Sequence, residues 1–239
     1  MSIAEKFETI ADAVYDKGKQ AEGLAYWKAI TANGRRKSSW YYAFAYTDYA
    51  EIEFVKPVVI TGEHQRLFYA YHGKKLPRKQ DIDLSGITSA QLFFSFLDLS
   101  YNEETKLTIP DYGIPALNYY TSTYANSNAI QTIEVIRCHE ATTFSSSFAE
   151  TRNLENITFE GTIGTNISFS TCKKLTVDSL KNIITHLKDY SGTENEFKYS
   201  VTFSSACLTA LEALDPATDP SPNGNSWVQY LDDIGWELT

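Results

Sequence analysis

Through the middle of the chain, buried-type residues recur at every third position. Tyr124, Ser127, Ile130 and Ile133 are each three apart. Phe148, Thr151, Leu154 and Ile157 repeat that order 24 residues later, and Phe169, Cys172 and Leu175 begin it again. Each row reads aromatic, small polar, aliphatic. The two complete rows run into short alternating stretches, Ile133-Glu134-Val135 and Ile157-Thr158-Phe159, which read as strands. A period in the twenties with one strand per unit predicts a right-handed α/β solenoid of about four coils, each burying its apolar face on the next. Strand starts at Ile82, Leu107, Ile133 and Ile157 are separated by 25, 26 and 24 residues. Alternation turns Asp83, Thr108, Glu134 and Thr158 outward, so these four are expected to line one exposed sheet face as candidate ligand-binding residues.

The flanks carry different patterns. Residues 1–34 read as a helix closed by Asn33-Gly34, with Ile3, Phe7, Ile10 and Val14 stepping by four, three and four. That seam predicts oligomerisation or attachment to a larger particle, against packing on the chain's own body. Residues 35–80 are dense in aromatics and predict an N-terminal cap over the first coil, with Trp40, Tyr41 and Tyr42 as a candidate sugar-stacking platform. The solenoid is placed at 81–175. From 176 to 239 strand and helix alternate: Thr176 caps a helix whose apolar side is Val177, Leu180, Ile184 and Leu187 and which ends at Ser191-Gly192. Tyr199, Val201 and Phe203 form a strand, Ala206–Leu214 a helix, and Ser226 caps a last helix that stops at Gly235 before a closing strand at Trp236-Glu237-Leu238.

Charge and composition narrow the function. A net charge of −9 disfavours nucleic acid, whose phosphates are bound by clustered Lys and Arg. Three cysteines, Cys138, Cys172 and Cys207, have neither disulfide-framework nor zinc-site spacing and read as core residues. The first residues carry acid and no long apolar stretch, so no signal peptide is expected, and no apolar run nears a bilayer's thickness.

Two resemblances add to this. The row Phe148-Thr151-Leu154-Ile157, with Cys172 in the equivalent place of the next row, resembles the BspA-like leucine-rich repeat over residues 80–175. Across nearly the whole chain, segments such as Val14-Tyr15-Asp16-Lys17-Gly18-Lys19, Tyr42-Ala43-Phe44-Ala45 and Gly235-Trp236-Glu237-Leu238 look like a group of phage and prophage proteins of Gram-positive bacteria, often encoded among tail genes. That resemblance implies a tail-associated protein of the virion, made in the bacterial cytoplasm, with other tail proteins as partners. It implies no activity and transfers no functional residue.

Catalytic motifs are absent from the sequence. His64, His72, His139 and His186 lack metal-ligand spacing, and neighbouring strand positions point Cys138 and His139 to opposite faces. No nucleophile elbow, P-loop or dinucleotide fingerprint is present. These features predict a non-enzymatic binding or adhesion protein, without cofactor or metal, that presents its repeat surface to a host glycan or protein. The enzymatic rival is a polysaccharide hydrolase using Asp83 and Glu134, which lie about 9–10 Å apart if they stand two strands apart on one face. A purely structural virion component is the third expectation.

Overall fold

A computed structural model describes residues 58–65, 67–68, 76–91, 94 and 106–239. The expected N-terminal helix and the Trp40-Tyr41-Tyr42 platform lie outside these residues. β1 (Val58–Gln65) pairs in parallel with β2 (Ile82–Gln91), which follows a short 3-10 turn at Lys79–Asp81. β3 (Leu107–Ile109), β4 (Ile130–Cys138) and β5 (Asn156–Gly161) form a second parallel sheet in chain order. β6 (Ile167–Phe169), β7 (Ser200–Phe203) and β8 (Glu237–Leu238) form a third. Helices α1 (Val177–Thr185), α2 (Ser205–Glu212) and α3 (Trp227–Asp233) are interleaved with the last strands.

The described residues are thus a mixed α/β arrangement of three small parallel sheets and three helices, which corrects the expected leucine-rich-repeat solenoid. The strand row anticipated from Ile82, Leu107, Ile133 and Ile157 is broken at its start, because β2 pairs with β1 and not with β3. It is broken again after β5. The next strand, β6, instead finds its partner in β7 beyond α1, with Ile167 opposite Val201. Even inside the middle sheet the register shifts between Ile133 and Ile136, which leaves Val135 half-buried where simple alternation buries it.

The three-residue stepping has a local physical cause. Tyr124, Phe148 and Phe169 are at most 2% exposed, and their rings stack in sequence at 5.7 and 4.6 Å between centroids. Phe94 and Phe203 extend the column at either end, 5.7 Å from Tyr124 and 6.0 Å from Phe169. The small polar residue that follows each ring is buried and satisfies a carbonyl of the preceding row. Ser127 Oγ donates to Phe94 O at 2.7 Å, Thr151 Oγ1 to Tyr124 O at 2.7 Å, and Cys172 Sγ to Phe148 O at 3.6 Å. A buried carbonyl without a donor costs about 1–3 kcal/mol, so these positions accept only small side chains with a donor. Leu154 and Leu175 fill the aliphatic positions of the same core.

Two successive turns are built alike. Ser122 and Ser146 both take left-handed backbone (φ 48° and 52°), as do Asn126 and Glu150 (φ 57° each). Backbone N–H groups of Tyr120, Ser122, Tyr124 and Asn126 bond the carbonyls of Thr143, Ser145, Ser147 and Ala149. The left-handed residues cost about 1–3 kcal/mol each and persist because this ladder fixes them.

The C-terminal elements follow their capping residues. Hydroxyls of Thr176, Ser204 and Ser226 accept from the N–H groups of Ser179, Cys207 and Gln229. α1 ends at Thr185 with His186 as its C-cap, short of the expected Ser191-Gly192, because Leu187 leaves the helix to bridge Ile163. Among the described residues no helix is long and apolar enough to cross a membrane.

Candidate functional site

The four candidates of the sheet face do not form one row. Asp83 lies half-buried in β2, its Oδ1 accepting from the Ser85 N–H at 2.8 Å. Thr108 is exposed in β3 opposite Thr132, not Glu134. Glu134 is exposed within the register shift of β4, and Thr158 is exposed in β5. The spacing assumed for a hydrolytic pair, Asp83 with Glu134 two strands apart in one sheet, therefore does not apply.

What gathers on this side is an ion-pair cluster around Asp111, in the loop after β3. Arg137 grips Asp111 with both terminal nitrogens, at 2.8 and 2.9 Å, and its Nε reaches Glu160 Oε2 at 3.0 Å. Lys79 lies 3.3 Å from Asp111, and the Asp111 N–H donates to Glu134 Oε2 at 2.9 Å. Arg137's hydrogen bonds hold the Asp111 carboxyl well below the usual carboxylate range, outweighing the opposing effect of burial. The pair raises Arg137 further above its already high value. Such a carboxylate is committed to its partners. The cluster pins the Pro110–Ile114 loop against β4. Among the described residues no three His, Cys, Asp or Glu side chains converge on a metal-binding point.

Cys138 and His139 diverge as expected, Cys138 buried and His139 half-buried with Nε2 3.1 Å from Asn118 Oδ1. Burial pushes the Cys138 thiol up to about 12, far from a nucleophile at neutral pH. His186 is half-buried, its Nδ1 2.7 Å from Asn182 O.

A concavity among the described residues lies elsewhere. β6 pairs with β7 on one side, and on its other side a groove of about 480 Å³ separates it from the Thr143–Ser146 segment. Thr143, Ser145 and Ser146 line it together with Thr165, Asn166 and Ser168, and with Ser200 and Thr202 of β7. Phe144 and Ile167 are buried beneath. Asn166 Oδ1 accepts from the Ser200 N–H at 2.8 Å, and Thr202 Oγ1 meets Thr239 Oγ1 at 2.7 Å, so hydroxyls and an amide run across β6, β7 and β8.

Tyr199 also lines the groove. Its ring is braced by Tyr190 at 5.1 Å and Trp236 at 6.3 Å, and these are anchored in turn by Tyr190 OH to Gly164 O and Trp236 Nε1 to Lys188 O, each 2.7 Å. Thr143 of the lining bridges to Tyr119, a large hydrophobic side chain left 48% exposed. An uncharged trough whose lining joins apolar surface with hydroxyls and one amide is suited to holding a ligand.

Sequence reasoning passed over this groove. Its signal was present in the hydroxyl run Thr142-Thr143-Phe144-Ser145-Ser146-Ser147 and in Ser200 and Thr202, the outward partners of Val201 and Phe203. A smaller recess of about 240 Å³ at the starts of β4 and β5 is lined by Lys106, Gln131, Glu155 and Lys174 among others. Its polar groups are engaged with one another, Gln131 Nε2 with Glu155 Oε2 at 2.6 Å and Lys174 Nζ with Asn153 Oδ1 at 2.7 Å.

Comparison of the chain with family models, curated proteins and solved structures gives no match. The functional reading therefore rests on the residues themselves.

Proposed function

We propose that the protein is a non-enzymatic, phage-type tail-associated binding protein that holds a glycan of the host surface. The observation that carries this reading is the groove beside β6, lined by hydroxyls, one amide and the apolar groups of Phe144, Ile167 and Tyr199, with Tyr119 bridged to its Thr143. Sugar rings present hydroxyls that donate and accept, together with apolar C–H faces, and the groove offers the counterpart of both. The tail context comes from the resemblance to phage-encoded proteins, and the acidic balance of the chain is in keeping with a partner other than nucleic acid.

The test incubates the purified chain with Gram-positive host cells and with their isolated cell-wall polysaccharide, scoring retention and reducing-end release together. Retention without release is the expected result. Sugar release abolished by Asp83→Asn or Glu134→Gln would replace the proposal with a hydrolase. Absence of both retention and release would leave a purely structural virion component.

A further inference from the structure

We infer that the groove beside β6 selects an uncharged glycan chain laid across the third sheet, with one sugar against Tyr119; this rests on the glycan-binding reading above. None of the eleven residues lining the groove carries a formal charge, in a chain where 21% of residues do. Its polar groups are hydroxyls and a carboxamide, each able to donate as well as accept, which matches the dual character of sugar hydroxyls. A phosphate- or carboxylate-bearing polymer offers acceptors and negative charge, and here it would meet no cation while approaching a protein of net charge −9. Desolvating such a charge without a partner is costly, whereas neutral hydroxyls exchange water for protein at little net cost. Lys198 is tied to Asn195 Oδ1 at 2.9 Å and lies 5.7 Å from the Tyr199 ring centre, outside the lining.

The direction of the ligand follows from the neighbouring chains. Tyr119 stands beside Thr143 through a parallel bridge, and Ser168 stands opposite Thr202, which is bonded to Thr239. An exposed aromatic and a row of hydroxyls thus succeed one another perpendicular to the strands. The paired strands β6, β7 and β8 lie roughly 4.8 Å apart, close to the length of one sugar residue, so they address adjacent residues of the ligand.

The experiment is isothermal titration calorimetry of the full chain, at low and high salt, against neutral and polyanionic probes. The neutral probes are maltohexaose, chitotetraose and a β-1,3-glucan hexamer; the polyanions are hyaluronan and ribitol-phosphate teichoic acid. The expected result is binding to at least one neutral probe, changing by less than about twofold with salt. Tyr119→Ala and Ser168→Trp, both at exposed positions, are each expected to weaken it by about tenfold or more with the far-ultraviolet circular dichroism unchanged. Ser145→Trp, which plugs the groove from the facing wall, is a second obstruction should Ser168→Trp disturb folding. Salt-sensitive binding confined to the polyanions, or neutral binding indifferent to all three substitutions, would overturn this inference while leaving the glycan reading intact. No binding to any probe would overturn both.

Discussion

Truncating Phe148 is the most direct way to test whether the ring column holds the fold together. Phe148 is 1% exposed and meets four described rings. It stacks on Tyr124 at 5.7 Å, Phe169 at 4.6 Å and Phe144 at 6.2 Å, and meets Phe159 edge-on at 6.4 Å. Removing a buried Phe side chain costs about 3–5 kcal/mol, and aromatic pairs add about 0.5–1.5 kcal/mol each beyond area burial. Phe148→Ala is therefore expected near the top of that range, about 4–5 kcal/mol. A domain of this size holds about 5–15 kcal/mol in all, so the variant should fold but melt about 8–20 °C lower. The control is Phe203→Ala. That ring is also buried but stacks on Phe169 alone, at 6.0 Å, and its truncation should cost about 3 kcal/mol. Urea titrations of both variants, followed by circular dichroism with the slopes compared, give the two values. A loss below about 2 kcal/mol for Phe148→Ala, or a larger loss for Phe203→Ala, would refute the column as the principal stabilising element.

Three further outcomes are expected. Gly161→Ala should destabilise by about 3 kcal/mol or more in a thermal melt, because at φ +101° an added Cβ would stand 1.9 Å from Cys138 O, a backbone atom that cannot step aside. Arg137→Met should cost about 1–3 kcal/mol at pH 7 by removing the bidentate partner of Asp111 and leaving it Lys79 and the Gly113 N–H, and should flatten the acid limb of the stability curve. Since Asp111 is held below its ordinary range, its contribution is complete above about pH 4 and fades as pH falls toward the folded value, so the wild type should lose stability there and the variant less. The thiols of Cys138 and Cys172, each pushed up to about 12 by burial, should resist a thiol reagent at pH 8 in the native chain and react at once in urea; prompt native labelling would contradict their placement.

What the sequence disclosed depended on whether a pattern was local. The stepping of Tyr124, Ser127, Ile130 and Ile133 is set by one ring, one donor and two aliphatic contacts, all adjacent in the chain, and it correctly placed Tyr124, Phe148, Leu154 and Leu175 in the core. The caps at Thr176 and Ser226 were legible for the same reason, since a hydroxyl and an N–H three residues on suffice. Pairing partners were not legible. Nothing within Ile82-Asp83-Leu84 states that its neighbour is β1, and nothing in Ile167–Phe169 states that its neighbour lies beyond α1. The expected solenoid extended a local rule into strand order, which is decided by distant segments. The outward row Asp83-Thr108-Glu134-Thr158 failed to align because a register shift of a single residue changes which side chains are neighbours. The groove was overlooked because serine and threonine signal turns and surfaces in general, and only the approach of Thr143–Ser146 to β6 gives them a shared purpose.

The ring column also has a consequence for how the chain folds. Each ring's partner lies roughly 20–35 residues away along the chain, so each docking closes a loop whose entropic cost rises only as (3/2)RT ln n. Contacts of this modest range let the chain add one ring at a time onto whatever has already formed, without first bringing its ends together. Phe148, with neighbours on both sides, is the natural point at which such growth begins. Phe203, whose ring stacks on Phe169 alone, is where the assembled column first comes apart.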